Sequence, residues 1–228
     1  MLSYTEENYL KALLKLSFQN EDKPEAGTNE MAAHLGVKPA TATDMLKKLK
    51  EKELVNYKKY GKILLTESGK QQALAILRKH RLWETFLYEK LDFSWDEVHE
   101  VAEQLEHIQS AKLVDKLEEF LGFPEFDPHG DPIPKANGDL PVLEKILLSE
   151  VKEGELCQVV AVKDTSTVFL QYLEKLQITI GTPIKVLERI DFDGSMSIQI
   201  SDQEARNVSM KFAESLFITL HQNICQQK

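Results

Sequence analysis

The sequence is poor in cysteine, in positive charge and in long apolar runs, and each shortage removes a class of protein. Only Cys157 and Cys225 occur in 228 residues. They stand far apart without Cys-x-x-Cys spacing, so neither a zinc knuckle nor a disulfide framework is supported, and both are expected to be ordinary thiols. No apolar run reaches the roughly 18 residues of a membrane span. Met1-Leu2-Ser3-Tyr4-Thr5-Glu6-Glu7 also lacks a basic region followed by an apolar core, so a cytoplasmic protein that does not engage a membrane is expected. His-Glu-x-x-His and nucleophile motifs are absent as well, which argues against a metal hydrolase with Glu106 as general base. No catalytic residue is assigned, and the chain is expected not to be an enzyme. Its 42% hydrophobic and 29% charged residues are those of an ordinary globular protein with room for two or three small domains. The net charge of −9 excludes a wholly basic nucleic-acid binder, but phosphate contact depends on local charge.

Histidine is scarce too, six in the chain, yet His80, His99 and His107 fall within 28 residues. His80 and Glu84 are four apart and share a helix face. Ser94 to Glu97 reads as a capping box opening a second helix, with Val98, Val101, Ala102, Leu105 and Ile108 as its apolar stripe. His99, Glu103, Glu106 and His107 fall on the neighbouring stripe at i, i+4, i+7 and i+8. Such rows are also what a solvated helix face presents. Their repetition as His-x-x-x-Glu on two consecutive helices favours a ligand set, and imidazole with carboxylate suits a divalent first-row metal.

At the N-terminus Ser3-x-x-Glu6 is another capping box, and Leu10, Leu13, Leu14 and Phe18 give a first helix one buried face. Thr28 caps a short second helix with Met31, Ala32 and Leu35 inward and Gly36 at its end. Pro39 opens a third helix with Ala42, Met45, Leu46 and Leu49 buried, and the pair reads as a helix-turn-helix. Leu54 to Lys58, the turn at Tyr60-Gly61 and Lys62 to Leu65 read as a two-stranded wing. Between Gly36 and Lys62 eight lysines face three acids, a local +5 inside a chain of −9. That inversion marks a DNA-binding face. Thr41, Thr43 and Asp44 are placed to reach base edges, and Lys38, Lys47, Lys48, Lys58 and Lys59 to hold phosphates.

Thr66 begins a long helix with Ala73, Ile76, Leu77, Leu82, Phe86 and Leu87 apolar, running from the wing into His80 and Glu84. One element thus joins the DNA-facing module to candidate ligands. Ser110 caps a further helix with Leu113, Val114, Leu117, Phe120 and Leu121, closed by Gly122 and Pro124. That is more apolar surface than a small bundle buries alone, so a homodimer is expected, which suits a palindromic double-stranded operator. From Asp139 to Glu153 a linker with a short helix, Leu143 to Leu148, is expected. Beyond it Leu156–Val162, Pro183–Ile190, Ser195–Ile200 and Leu216–Leu220 read as strands, Asp193-Gly194 as a hairpin turn and Thr167–Leu176 as a helix.

These features resemble the diphtheria toxin repressor family of metal-dependent repressors, in particular its manganese-sensing branch. The likeness is carried by Thr5-Glu6-Glu7-Asn8-Tyr9-Leu10, the helix-turn-helix through Val55, Arg78-Lys79-His80-Arg81-Leu82-Trp83-Glu84, Val98-His99 with Glu103-x-x-Glu106-His107, and Asp127-Pro128-His129-Gly130-Asp131-Pro132-Ile133-Pro134. It implies a mainly α protein with a small β domain: a winged helix-turn-helix over 1–72, a helical dimerisation and metal-binding domain over 73–140, a linker over 141–153 and an SH3-like β-barrel over 154–228. It further implies a primary metal site of Asn8, Glu103, Glu106 and His107, and a second of His80, Glu84 and His99 aided by His129 and Asp164. Asn8 stands where manganese sensors commonly carry Asp, Lys11 where some have a second carboxylate, and Asp127 where Cys is common. Iron sensors put sulfur where Glu103 stands, and oxygen favours the harder Mn(II), with Fe(II) as the alternative.

The expectation is a manganese-dependent repressor controlling metal-ion uptake. The alternatives are an iron-dependent repressor of the same family and a winged-helix regulator answering an organic ligand. Metals added singly at fixed salt, with operator affinity followed, separate them: the first reading expects tightening with Mn(II) and loosening with chelator, whereas equal affinity in both conditions removes it.

Overall fold

The structure, a computed structural model, describes residues 2–19, 25–57 and 62–220. The chain divides into two compact units, Met1–Trp83 with Ala102–Phe120 and Ile133–Leu140, and Glu84–Val101 with Leu121–Pro132 and Pro141–Lys228. Among the described residues no helix is long and apolar enough to cross a membrane.

In the first unit α1 (Tyr4–Gln19) opens on the expected capping box. The Ser3 amide donates to Glu6 Oε2 at 2.8 Å, and the Glu6 amide donates to Ser3 Oγ at 3.3 Å. Leu10, Leu13 and Leu14 are buried as expected, but Phe18 is 41% exposed. The buried arc also takes in Tyr9, Ala12 and Leu16, and Phe18, five residues past Leu13, lies about 140° round the helix from it. After β1 (Ala26–Gly27), α2 (Thr28–His34) is capped one residue earlier than expected. Gly27 is the cap, its amide held by Glu30 at 3.1 Å, and Thr28 is already helical. Gly36 turns the chain with φ +65°, a conformation that costs glycine little. Pro39 then starts α3 (Pro39–Glu51), which buries Ala42, Leu46 and Leu49.

The wing is a three-stranded sheet and not the two-stranded hairpin the pattern suggests. β3 (Lys62–Leu65) pairs with β2 (Val55–Tyr57) on one edge and with β1 on the other, Ala26 opposite Ile63. Ala26 and Gly27 are too short a run to register as a strand in sequence. The wing turn, with Lys58 and Lys59, lies outside the described residues. Thr66 ties the wing to α4 (Glu67–Leu91): its Oγ1 donates to the Glu53 carbonyl at 2.8 Å and accepts from the Gly69 amide at 3.0 Å. α6 (Ala111–Phe120), capped by Ser110, buries Val114 and Leu117 but leaves Leu113 and Phe120 40% and 65% exposed.

In the second unit six strands form one antiparallel sheet. They are β4 (Ile146–Leu147), β5 (Leu156–Val162), β6 (Pro183–Arg189), β7 (Met196–Ile200), β8 (Arg206–Val208) and β9 (Leu216–Leu220), in the order β4-β9-β5-β6-β7-β8. The core alternates as a half-buried sheet requires, with Cys157, Val159, Ile184, Val186, Ile198, Ile200 and Ile218 inward and α7 (Thr167–Lys175) adding Leu170 and Leu173. α8 (Met210–Ala213) adds Phe212. Cys157 fits the ordinary-thiol expectation. It donates to the Ile184 carbonyl at 3.2 Å, and burial, with Glu155 nearby, pushes its pKa up to about 12. Cys225 lies outside the described residues.

The helix expected over 143–148 is absent. Ile146 and Leu147 instead pair with Ile218 and Phe217 as β4, and a 3-10 turn, Leu148–Glu150, buries Leu148 in the sheet's core. Pairing with an open strand edge outweighs the helical spacing of a six-residue segment. At Ser94 only half of the expected capping box forms: its amide is held by Glu97 at 2.9 Å, but its Oγ donates to the Asp96 and Glu97 carboxylates, 95–97 is a turn, and α5 (Val98–Leu105) starts three residues later than expected. Glu106 and His107 stand just past the end of that helix.

Gly69 is the tightest point of the wing attachment, since a Cβ there would lie 2.0 Å from the Leu54 carbonyl oxygen. Gly69→Ala is therefore expected to destabilise the protein by about 1–3 kcal/mol, measured by urea unfolding.

Candidate metal centres and nucleic-acid interface

In the first unit α1 presents Glu7, Asn8 and Lys11 within one turn, toward Glu103, Glu106 and His107. Three of the four expected primary ligands gather here, but the group they gather around is Lys11. Its Nζ lies 2.6 Å from Glu103 Oε1 and 2.6 and 2.7 Å from the two oxygens of Glu106. Glu106 is fully buried and the Lys11 side chain is 6% exposed, so each charge is compensated at charge-assisted distance. His107 turns its Nδ1 to Glu7 Oε2 at 2.5 Å and stacks on Tyr4, ring centroids 4.5 Å apart. Gln109 holds the other Glu7 oxygen at 2.5 Å. Asn8 Oδ1 is buried without a hydrogen-bond partner. Burial pulls the Lys79 ammonium below its ordinary value, opposed by the carboxylates of Glu7 and Glu106.

His80, expected in the second set, lies with Nδ1 2.6 Å from Glu106 Oε2. As it stands the cluster does not fit a divalent ion between Glu103 and Glu106, because an ammonium holds that point. Sequence spacing missed the roles of Glu7 and Lys11. Their i, i+4 relation beside Asn8 is the signal that places them together.

In the second unit Glu84, Asp127 and His129, all buried, bring one donor atom each to within 4.8 Å of one another. His99, largely exposed, sets its Nδ1 3.0 Å from Glu84 Oε1. The loop that presents Asp127 and His129 is tightly determined. Asp127 Oδ1 accepts the amides of His129 at 2.8 Å and Asp131 at 3.0 Å. Gly130 has φ +84°, and a Cβ on it would meet the Val160 carbonyl oxygen at 2.0 Å. The His129 carbonyl accepts the Val162 amide at 2.9 Å, fastening the loop to β5.

Trp95, in sequence only a member of a capping box, clamps this loop. Its Nε1 donates to the Pro128 carbonyl at 2.7 Å, its ring stacks on His129 at 5.9 Å, and its own carbonyl lies 3.0 Å from His129 Nε2. A carbonyl only accepts, so His129 Nε2 carries a proton, and in the neutral imidazole Nδ1 is then the nitrogen with the lone pair a metal needs. Two carboxylates and one neutral imidazole are a donor set suited to Mn(II), Fe(II) or Zn(II). Asp164 is not brought into this group. Its Oδ1 accepts the Ser166 amide at 2.9 Å, and the hydrogen bonds from Ser166 hold its carboxyl below the usual range.

Of the expected DNA-contacting residues, Lys38, Thr41, Asp44, Lys47 and Lys48 are exposed around α3. Thr43 is half-buried with its hydroxyl donating to the Pro39 carbonyl at 2.8 Å, one turn back in its own helix. Asp44 lies 3.2 Å from Lys47. Two lysines of the basic segment are spent on structure, Lys52 at 2.7 Å from Glu6 and Lys62 at 3.1 Å from Glu25.

A winged helix-turn-helix, with buried histidine–carboxylate clusters in the helices beyond it, defines the class as a metal-responsive DNA-binding regulator. Comparison with known proteins agrees. The profile described as iron dependent repressor, N-terminal DNA binding domain, matches residues 1–63, the profile for iron dependent repressor, metal binding and dimerisation domain, matches 66–135, and the FeoA domain matches 146–220. The chain is 36% identical over 120 residues to an uncharacterised HTH-type transcriptional regulator of Methanocaldococcus jannaschii, 53% of this chain and 94% of that one. It is 41% identical over 70 residues to the iron-dependent repressor IdeR of Mycobacterium tuberculosis, 31% of this chain and 30% of that one. Of several curated relatives the chain spans only 16% to 30% of the length. A solved manganese-dependent transcriptional repressor in complex with manganese superposes with a TM-score of 0.81 at 34% identity, covering 94% of this chain and 99% of that one. The chain belongs to the iron-dependent repressor family, whose members are metal-dependent DNA-binding transcriptional repressors and not enzymes.

Trp95→Phe keeps the stacked ring and removes the donor to Pro128. It is expected to lower the free energy of unfolding by about 1–3 kcal/mol in urea titrations.

Proposed function

We propose that this protein represses transcription by binding a palindromic operator as a homodimer in response to Mn(II), controlling metal-ion uptake. The observation that carries the metal part is the group Glu84, Asp127 and His129, with the His129 tautomer set by the Trp95 carbonyl. These three residues would hold the ion, with His99 beside Glu84. When bound, the ion supplies a double positive charge that both carboxylates and the imidazole lone pair can share, joining α4 to the 127–131 loop. The donors are oxygen and nitrogen without sulfur, which favours Mn(II), and Fe(II) is the alternative the set admits. The similarity to a solved manganese-dependent repressor supports the same reading.

Exposed Leu113 and Phe120 on α6 offer a second copy an apolar face, supporting the homodimer. Lys38, Lys47 and Lys48 would hold phosphates from α3, with Lys58 and Lys59, outside the described residues, as the further candidates. Thr41 and Asp44 are the exposed candidates for base edges. The hydroxyl of Thr43 is engaged within the helix, which leaves its methyl as the group for contact. α4 begins at the wing and carries Glu84, so metal binding and the DNA-facing module share one helix.

In gel shifts at fixed salt, Mn(II) is expected to tighten operator binding by about 5- to 150-fold over chelator, the usual span of allosteric coupling. The double variant Glu84→Gln/His129→Ala should lose that response while keeping basal binding. The organic-ligand reading, to which a cavity of about 660 Å³ bordered by Arg78, Lys79 and Gln109 gives a place, expects the metal response to be absent in both. Lys47→Ala/Lys48→Ala should weaken binding to all duplexes alike and, with two lysines lost from each protomer of the dimer, lower the slope of log affinity against log salt by about 4.

A further inference from the structure

We propose that the Lys11 ammonium is the resident cation of the Glu103–Glu106 centre, so that this centre takes no divalent metal and fastens α1 to the 103–107 segment whether or not metal is present. Three carboxylate oxygens lie 2.6 to 2.7 Å from Nζ, the spacing of an ammonium fully engaged with its counter-ions. A metal bound by the same oxygens would sit about 2.0–2.2 Å from each of them, inside the space the ammonium fills. The two cations exclude one another by volume before charge repulsion is counted.

Nor is the lysine easily set aside. Its side chain is 6% exposed, and Glu106, fully buried, would lose its compensation on both oxygens. The rest of the cluster is arranged around the same solution. His80 accompanies Glu106, and His107 is drawn to Glu7, which is also held by Gln109. Asn8 brings a neutral amide oxygen rather than a third charge, and that oxygen is left without a partner. A site with one fixed positive charge needs fewer carboxylates than a site for a doubly charged ion. Lys11 and Asn8 change the local charge in that direction together.

The inference rests on the proposed metal reading only for the total count of ions. One Mn(II) per protomer is then expected, at Glu84, Asp127 and His129. The test is equilibrium dialysis of the full chain against Mn(II) with elemental analysis, alongside thermal melting. The wild type should hold one ion. Glu103→Gln should leave both that count and the Mn(II) dependence of operator binding unchanged. Lys11→Glu should gain one ion over its parent, melt lower than the wild type in chelator and recover on adding Mn(II).

The same gain of one ion should appear in a Glu84→Gln/His129→Ala background. If Lys11→Glu gains an ion while the wild type holds none, the assignment of Lys11 stands and the Glu84 site falls. Loss of an ion in Glu103→Gln overturns the assignment of Lys11 without needing any variant at Lys11. So does a wild-type count of two that falls to one when Glu84 and His129 are replaced.

Discussion

A charged group is buried at tolerable cost only when something of opposite sign is held against it, and that constraint organises the first unit. Glu106 is sealed from water at the point where the segment after α5 meets α1, and Lys11 answers it from α1 with an equally buried ammonium. Once that pair is fixed, Glu103 is drawn to the same ammonium, His80 to the far oxygen of Glu106, and His107 to Glu7. The hydrophobic core of Leu10, Leu14, Met31, Leu46, Leu49, Ile63 and Leu77 supplies the driving force for folding. The ion pairs add no comparable energy, but they allow only one relative placement of the segments that carry them.

The second unit solves a related problem with backbone geometry in place of charge. The Trp95 carbonyl accepts from His129 Nε2 and so fixes which nitrogen of the ring bears that proton. The loop that carries His129 is fastened on three sides, by Asp127 folding its carboxylate over the backbone amides, by the Trp95 indole on Pro128, and by β5 at Val162. Asp127 thus has one oxygen committed to the turn, which fixes the orientation of the carboxylate it brings near Glu84 and His129.

Much of this architecture was legible in the residues themselves. The capping box at Ser3, proline at the start of α3, glycine after α2 and the four long strands each rest on local chemistry, and each lies within a residue or two of its expected place, whereas α5 starts three residues beyond the place Ser94 marks. What was not legible depends on partners distant in sequence. β1 and β4 are two-residue strands that exist because β3 and β9 offer them an edge. Trp95 and Glu7 read as surface or cap residues until the groups they meet, at 128–129 and at 107, are brought beside them. Lys11 shows the limit most plainly. Helical spacing puts the carboxylates and His107 on one stripe, and resemblance to a family places Lys11 where some members carry a second carboxylate, but neither reveals that its ammonium takes both oxygens of Glu106 and one of Glu103. His80 and Glu84, one turn apart on α4, lie against Glu106 and His99 respectively.

The glycine at 130 has a further consequence for how such a protein can change over generations. Its backbone has a handedness that side chains resist, and the atoms of β5 stand where a methyl group would go. That position is closed to drift, and 127 is constrained with it, because the Asp127 carboxylate also holds the His129 and Asp131 amides that shape the turn. Variation in such a lineage is channelled to side chains the turn does not use, and the backbone of the loop is inherited as a unit.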